Sequence, residues 1–406
     1  MIKLGQRQKR RGVGQEDLAI DLGTSNTLIY LKDRGIVLDE PTVVALDRHS
    51  GRPLASGTEA RQLAGRGHRP APAILVRPLR GGVIADIDAC KAMLRSFVQR
   101  CSTGRWVHRR RTVICVPSRM TPVEQRAVRE AAALAGACYA VVVSKPMAAA
   151  IGAGLPVNGP GGNLIVDIGG GTTDIALTSL GSVVASRSLR IAGDDLDAAI
   201  MTFVNRTFDV VLDPSAAEAV KITMGSAYPL SVEIAAEVRG SDLKTGLRRT
   251  VIISTEEVRH ALGSPITTIV RAVTAALDGA PPAVAAGVRS QGITLVGGGA
   301  MLFGLPERIQ AETGAPVRVA ANPRHCVAVG AGRYLEAYGP NVVDHLVPTE
   351  PARRTGDTTY WAVGQGRGQP VDPIAGCDRL TGDDLPMVTT RAAAAQGLQA
   401  GPLHRL

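Results

Sequence analysis

The chain has 406 residues, too many for one ordinary domain and suited by size to two or three. Hydrophobic residues make up 45% but aromatics only 3%, so its cores are built from Ala, Val, Ile and Leu with few ring anchors. The formal charge of +10 admits phosphate, nucleic acid or anionic lipid as an acidic partner and selects none of them, while Arg109-Arg110-Arg111 carries no interleaved aromatic, which argues against a base-stacking platform.

The six cysteines (Cys90, Cys101, Cys115, Cys138, Cys326, Cys377) form no Cys-x-x-Cys pair, which argues against structural zinc and a disulfide framework and for buried thiols in a reducing compartment. The basic start (Lys3, Arg7, Lys9, Arg10, Arg11) runs into Gly14-Gln15-Glu16-Asp17 instead of an apolar segment, unlike a signal peptide. No run of 18 apolar residues occurs, and a cytoplasmic protein is expected.

In chain order, Leu18 to Tyr30 reads as two apolar runs around a Gly-Thr-Ser-Asn turn, a hairpin. Arg111 to Pro117 reads as a buried strand. Thr121-Pro122-Val123-Glu124 then opens a helix to about Gly136, with an N-cap Thr, Pro at its first position and Glu at its third. Val141 to Val143 is a short strand and Met147 to Ala153 an Ala-rich helix ended by Gly154 and Pro156. Gly159-Pro160-Gly161-Gly162 reads as a linker.

After it the opening pattern returns. Asp21-Leu22-Gly23-Thr24-Ser25-Asn26-Thr27 and Asp167-Ile168-Gly169-Gly170-Gly171-Thr172-Thr173 share an apolar strand, a terminal Asp, a Gly-rich turn and a returning strand, 146 positions apart. This predicts a duplicated domain with a ligand between the halves. Ala216 to Ile222 reads as helical, and Ser254-Thr255-Glu256-Glu257 opens another helix. Ile293-Thr294-Leu295-Val296 leads into the turn Gly297-Gly298-Gly299-Ala300. From Asn341 onward, 66 residues hold six prolines and eight glycines, which predicts a mostly disordered tail. Within it, Trp361 reads as a docking anchor or, more simply, as a stray aromatic.

A turn of Gly, Thr and Ser leaves several backbone N–H groups facing one concavity, the way polypeptide holds phosphate oxygens. Two such turns facing each other clamp a polyphosphate. Asp21 and Asp167 stand beside them as hard oxygen ligands suited to Mg²⁺ held through waters. The pattern is not a P-loop, since no Gly-Lys-Ser/Thr follows, nor a Gly-x-Gly-x-x-Gly dinucleotide fingerprint.

Together with Arg77-Pro78-Leu79-Arg80-Gly81-Gly82-Val83-Ile84-Ala85-Asp86, Ile114-Cys115-Val116-Pro117-Ser118 and Pro146-Met147-Ala148-Ala149-Ala150-Ile151-Gly152, these turns make the stretch from about Leu18 to Tyr338 resemble the MreB/Mbl family of bacterial actin homologues. The resemblance implies an α/β, actin-like duplicated two-domain fold with a nucleotide cleft, of the kind shared with sugar kinases and heat-shock chaperone ATPases. On that basis residues 1–16 are a basic N-terminal segment, 17–157 domain I, 158–340 domain II with its last helix returning to domain I, and 341–406 the tail. It further implies ATP with Mg²⁺, and homopolymer filaments at the anionic inner face of the cell membrane. There they would meet membrane proteins of the cell-wall elongation machinery and set cell or spore shape, with no nucleic acid among the partners.

The family's nucleotide contacts map onto Gly23, Thr24, Ser25 and Asn26; Gly169, Gly170, Gly171 and Thr172; Glu218 and Lys221; and Gly297, Gly298, Gly299 and Ala300. Asp21 and Asp167 are the metal-side carboxylates. On helical spacing alone Glu218 and Lys221 make only a surface ion pair. Residues 77–86 are read as standing away from the nucleotide. The helix from Thr121 carries Glu124, Arg126, Arg129 and Glu130 on an exposed side, which the resemblance makes a protofilament contact and the charge pattern a solvated face.

One position departs from the family. Where the resemblance carries a water-orienting Glu, this chain has Lys145, preceded by Ser144. An ammonium donates three hydrogen bonds and accepts none, so it cannot take a proton from water. Hydrolysis is expected to be impaired unless a displaced acid such as Glu130 substitutes; neutralisation of the γ-phosphate charge and simple drift are the other readings. The basic N-terminal segment has too few large apolar residues for helix insertion, which leaves electrostatic adhesion to lipid or a solvated tail. A metabolite kinase and a chaperone-type ATPase on the same fold are the rivals.

Overall fold

The structure is a computed structural model that describes residues 17–65, 73–101, 111–118, 120–134 and 139–338. The basic N-terminal segment, the Pro/Gly-rich tail with Trp361, Cys138 and Cys377 lie outside these residues.

Two five-stranded sheets organise the chain. The first holds Leu18–Leu22 (β1), Asn26–Leu31 (β2), Gly35–Pro41 (β3), Arg111–Val116 (β4) and Tyr139–Ser144 (β5), in the order β5-β4-β1-β2-β3. The second holds Asn163–Ile168 (β6), Thr173–Ser179 (β7), Ser182–Leu189 (β8), Ile293–Val296 (β9) and Val317–Val319 (β10), in the order β8-β7-β6-β9-β10. The pairing repeats as well. In each sheet the central strand is antiparallel to the strand that follows it and parallel to the late strand on its other side. Both central strands are buried along their whole length, which is why β1 and β6 read as continuous apolar runs instead of alternating ones.

The helices that matter for the site are Pro122–Leu134 (α1), Lys145–Gly152 (α2), Gly193–Phe208 (α3), Pro214–Met224 (α4), Thr255–Asp278 (α5) and Cys326–Tyr338 (α6). The start of α1 follows its sequence signal: Thr121 Oγ1 accepts from the Glu124 N–H at 3.2 Å, and Glu124 Oε2 accepts from the Thr121 N–H at 2.7 Å. Ser254 and Glu257 cap α5 in the same reciprocal way. The helix expected from Met147 begins two residues earlier, because Pro146 is tolerated in the first helical turn, where its missing N–H costs nothing.

A three-stranded sheet (Pro53–Ser56, Val44–Asp47, Ala73–Val76) is inserted into the first half. Another (Val210–Val211, Ala235–Asp242, Arg248–Ser254) is inserted into the second. The residues read as a linker, Gly159 to Gly162, form an ordered loop: the Leu180 N–H donates to Gly159 O at 2.9 Å.

One apolar core surrounds each large sheet, and a third joins them. The joining core takes Ala19, Val113 and Val143 from the first sheet, Ile165 and Val296 from the second, and Ala148–Ala150 with Val327, Ala331 and Leu335 from α2 and α6. These two helices cross in backbone contact. A Cβ on Gly152 would fall 1.8 Å from Cys326 O, and one on Gly330 would fall 1.7 Å from Ala148 O. Helix α6 also reaches the first sheet, where the Tyr30 hydroxyl donates to Glu336 Oε1 at 3.0 Å.

The crossing generates a paired prediction. Gly330→Ala forces the two backbones apart and is expected to destabilise the chain by about 2–3 kcal/mol. Gly263→Ala lies in α5 with open space around its Cβ and is expected to stabilise by about 0.5–1 kcal/mol, because glycine is a poor helix former. Thermal melting of both variants tests the pair through the opposite signs.

Candidate nucleotide cleft

The parallel strands β1, β4, β5, β6 and β9 end in loops that come together between the two sheets, and these loops carry the candidate residues. After β1 comes Gly23 to Asn26, after β4 Pro117-Ser118, after β5 Lys145, after β6 Gly169 to Thr172, and after β9 Gly297 to Ala300. Crevices of this kind are where open α/β sheets bind ligands, because the strand ends free backbone groups that no ladder uses.

The two glycine turns are built alike and touch. The Gly23 N–H donates to Asn26 O at 3.1 Å, and the Gly169 N–H to Thr172 O at 2.9 Å, so the duplication holds down to the closing hydrogen bond. A Cβ on Gly170 would meet Ser25 Oγ at 1.9 Å, and one on Gly171 would meet Thr24 Oγ1 at 2.5 Å. These glycines therefore serve the approach of one turn to the other as well as access to their own N–H groups. Asn26 turns its side chain away, donating through Nδ2 to Asp39 Oδ1 at 2.8 Å.

Residues 77–86, read from sequence as standing away from the nucleotide, lie against the first turn. The Gly82 N–H donates to Thr24 Oγ1 at 2.9 Å, and Arg77 Nη2 lies 3.2 Å from Asp194 Oδ1 and 3.4 Å from Ser25 Oγ. The reason is tertiary: no local pattern tells that Leu79–Arg80 and Val83–Ile84, which pair as a short hairpin, fold over the first turn.

Behind the second turn the N-terminus of α3 is seated on it, the Gly193 and Asp194 N–H groups donating to Gly169 O and Gly170 O at 3.1 and 2.7 Å. Lys221 on α4 reaches this junction, with Nζ 2.8 Å from Asp197 Oδ1 and 3.1 Å from Gly193 O. Its partner is thus Asp197, not the Glu218 that helical spacing offers. Glu218 acts on Asp197 only through its charge. The third turn closes against β6: a Cβ on Gly297 would fall 2.6 Å from Asp167 Oδ1, and one on Gly299 would fall 2.3 Å from Ile168 Cγ2. Gly298 has open space around its Cβ position, and Ala300 is buried in the second core, so its side chain does not line the cleft.

The floor of the cleft is a buried charge cluster. Asp21, Asp167, Asp174 and Lys145 are all buried, and Lys145 Nζ lies 2.9 Å from Asp21 Oδ1. Burial by itself favours a neutral amine, but the charges of Asp21, Asp167 and Asp174 outweigh it and hold the Lys145 ammonium above its ordinary range. Burial pushes the Asp167 carboxyl up to about 7, with Lys145 opposing and the other two carboxylates adding to the rise. Asp174 is raised by the same burial, against hydrogen bonds from Ser188, Ser118 and Thr172. Sequence reasoning missed Asp174. Its signal was the asymmetry of the duplication, for Asp174 pairs with Asp167 across the hairpin where Leu28 pairs with Asp21.

Glu130, the acid considered as a substitute for the missing Glu, lies on the exposed side of α1, with Oε1 3.9 Å from Lys91 Nζ. Glu124 is not part of a free surface either: besides capping α1 it stands 3.5 Å from Arg190 Nη2 of the second half. Arg126 and Arg129 are exposed. Cys90, Cys101, Cys115 and Cys326 are buried as expected, and burial pushes the Cys90 thiol up to about 12.

Duplicated sheets of this order, with glycine turns facing across the crevice at their carboxyl ends, define an actin-like protein. Residues 15–341 match the family model described as MreB/Mbl protein. The chain is 44% identical over 334 residues to the cell shape-determining protein MreB of Escherichia coli strain K12, covering 81% of this chain and 96% of the relative. It is 42% identical over 320 residues to the cell shape-determining protein Mbl of Bacillus subtilis strain 168, covering 79% and 96%. Among solved structures it is similar to MreB5 of Spiroplasma citri bound to ADP, with a TM-score of 0.75 and 30% identity over 81% of this chain and 99% of that one. The MamK double helical filament follows at 0.67 and 25% identity, covering 79% and 99%. The chain belongs to the MreB/Mbl family.

The contact between turns supplies a prediction. Gly170→Ala is expected to destabilise the chain, and adding Ser25→Gly, which removes the hydroxyl in the way, is expected to restore part of the loss. The coupling should be about 1–2 kcal/mol. A double-mutant cycle in chemical denaturation measures it, and additive effects would mean that the two turns do not touch.

Proposed function

We propose that the chain is a nucleotide-binding cytoskeletal protein that assembles into filaments at the inner face of the cell membrane. There it organises cell-wall synthesis and so sets cell or spore shape, turning ATP over slowly. The observation that carries this reading is the pair of touching glycine turns, Gly23 to Asn26 and Gly169 to Thr172, with Lys221 and Gly297 around them. A solved structure of MreB5 of Spiroplasma citri is bound to AMPPNP, at a TM-score of 0.72 and 30% identity, and the MamK relative is a filament. Among the described residues no helix is long and apolar enough to cross a membrane, so attachment by adhesion, through the basic residues 1–16, is the form that suits this reading.

The triphosphate in this reading lies along the two turns, taking hydrogen bonds from their free backbone N–H groups, with Arg77 at its outer side. Magnesium, expected beside Asp21 and Asp167 through waters, does not fit the donor set: Asp21 Oδ1 is already 2.9 Å from an ammonium, whose charge opposes a dication there. Lys145 also leaves the attacking water without a carboxylate at this position.

Two outcomes test the reading. Loss of a positioned general base typically costs about a hundredfold to ten-thousandfold in rate, so hydrolysis by the natural chain is expected to be slow and Lys145→Glu to raise it. Single-turnover measurements at saturating ATP and Mg²⁺ decide, and brisk turnover by the natural chain would refute slow hydrolysis. For assembly, the chain is expected to sediment as filaments visible by electron microscopy in ATP with anionic vesicles, and to do so without residues 341–406. A protein that stays monomeric at high concentration under those conditions contradicts the filament reading.

A further inference from the structure

Lys145 sits in a costly place. It is the first residue of α2, where the helix dipole disfavours a cation, and it is 7% exposed, so bulk water does not solvate its charge. What holds it there is the cluster of three buried carboxylates. Asp21 Oδ1 is 2.9 Å from Nζ, and Asp167 and Asp174 act on it through their charges. The elements around the floor supply the carboxylates from β1, β6 and β7 and the ammonium from α2, whose crossing with α6 fixes its origin.

The charge arithmetic is direct. Exchanging the Lys145 ammonium for a carboxylate would make the floor more negative by two units, whatever the protonation of Asp167 and Asp174. The difference of two units is the charge of one divalent cation. An ammonium on a four-carbon stem binds phosphate oxygens as a point charge, and unlike Mg²⁺ it arrives without a hydration shell that is slow and costly to strip.

We propose that Lys145 is a tethered cation standing in for the divalent metal ion of this cleft, so that the chain binds ATP with an affinity nearly independent of Mg²⁺. Asp21 anchors the ammonium on one side, and the triphosphate accepts from its remaining N–H groups on the other. Arg77, paired with Asp194 at 3.2 Å, reaches Ser25 Oγ at the outer end of the phosphate turn.

The inference rests on the reading of the cleft as a nucleotide site, and one titration separates the two. ATP is titrated calorimetrically onto the full chain in excess Mg²⁺ and again in excess EDTA. The natural chain is expected to change its Kd by less than about threefold, while Lys145→Glu and Lys145→Gln lose about ten- to a hundredfold on chelation, the worth of one charge-assisted hydrogen bond. Titration of Mn²⁺ onto the nucleotide-free proteins, followed by electron paramagnetic resonance, adds a readout free of nucleotide: Lys145→Glu is expected to gain one bound ion that the natural chain lacks. If neither variant folds, the natural chain still decides. A tenfold or greater loss of its ATP affinity in EDTA overturns the tethered cation and leaves the nucleotide site standing, whereas no ATP binding in either buffer overturns both.

Discussion

The crossing of α2 and α6 at Gly152 and Gly330 is the constraint on which the rest of the molecule depends. Two helices whose backbones meet without an intervening Cβ cannot slide or tilt without losing contact, because close-packed interiors have few alternative arrangements. One of the pair follows directly from β5 of the first sheet, and the other follows β10 of the second. Their contact therefore sets how the halves face each other. The small side chains Ala148, Ala149 and Ala150 let both sheets pack against the pair at once, joining what would otherwise be two separate cores.

From this arrangement the cleft follows. The sheets share one strand order, so their carboxyl ends meet and the turns leaving them are brought to contact distance at Gly170 and Ser25. The same crossing fixes the start of α2 and so delivers the Lys145 ammonium to Asp21. A surface lysine pairs loosely, since screening and side-chain entropy offset the attraction. A buried one carries the full cost of desolvation, which only the opposing carboxylates offset. The floor is thus an electrostatic unit in which changing one charge alters the balance felt by the others.

In functional terms, the chain has the frame of its family, and the proposed change of chemistry lies at Lys145, where the resemblance implies a Glu. The turns, the Lys221 junction and the third glycine turn are all present and mutually positioned. In the proposed function, Lys145 is a donor-only cation at the reacting end of the triphosphate, and a frame for binding combined with weakened hydrolysis would suit a long-lived nucleotide-bound state and slow disassembly.

Much of this was legible in the amino-acid sequence by itself, wherever the physical cause is local. The duplicated Asp-led turns announced two equivalent halves, because a strand, a Gly-rich turn and a returning strand are each specified by neighbouring residues. The starts of α1 and α5 were legible for the same reason, a capping box being complete within four residues. A lysine at residue 145 was legible too, against the Glu that the family resemblance implies there. Only the tertiary structure decided which charges meet. It gave Lys221 to Asp197 and not to Glu218, and turned Asn26 toward Asp39. It folded Arg77 and Gly82 over the first turn, buried Ala300, and placed Asp174 in the floor. Each of these pairs residues that are distant in the chain or that share a helix face with a rival, and their distances are set by how helices and sheets pack, which spacing along the chain does not encode.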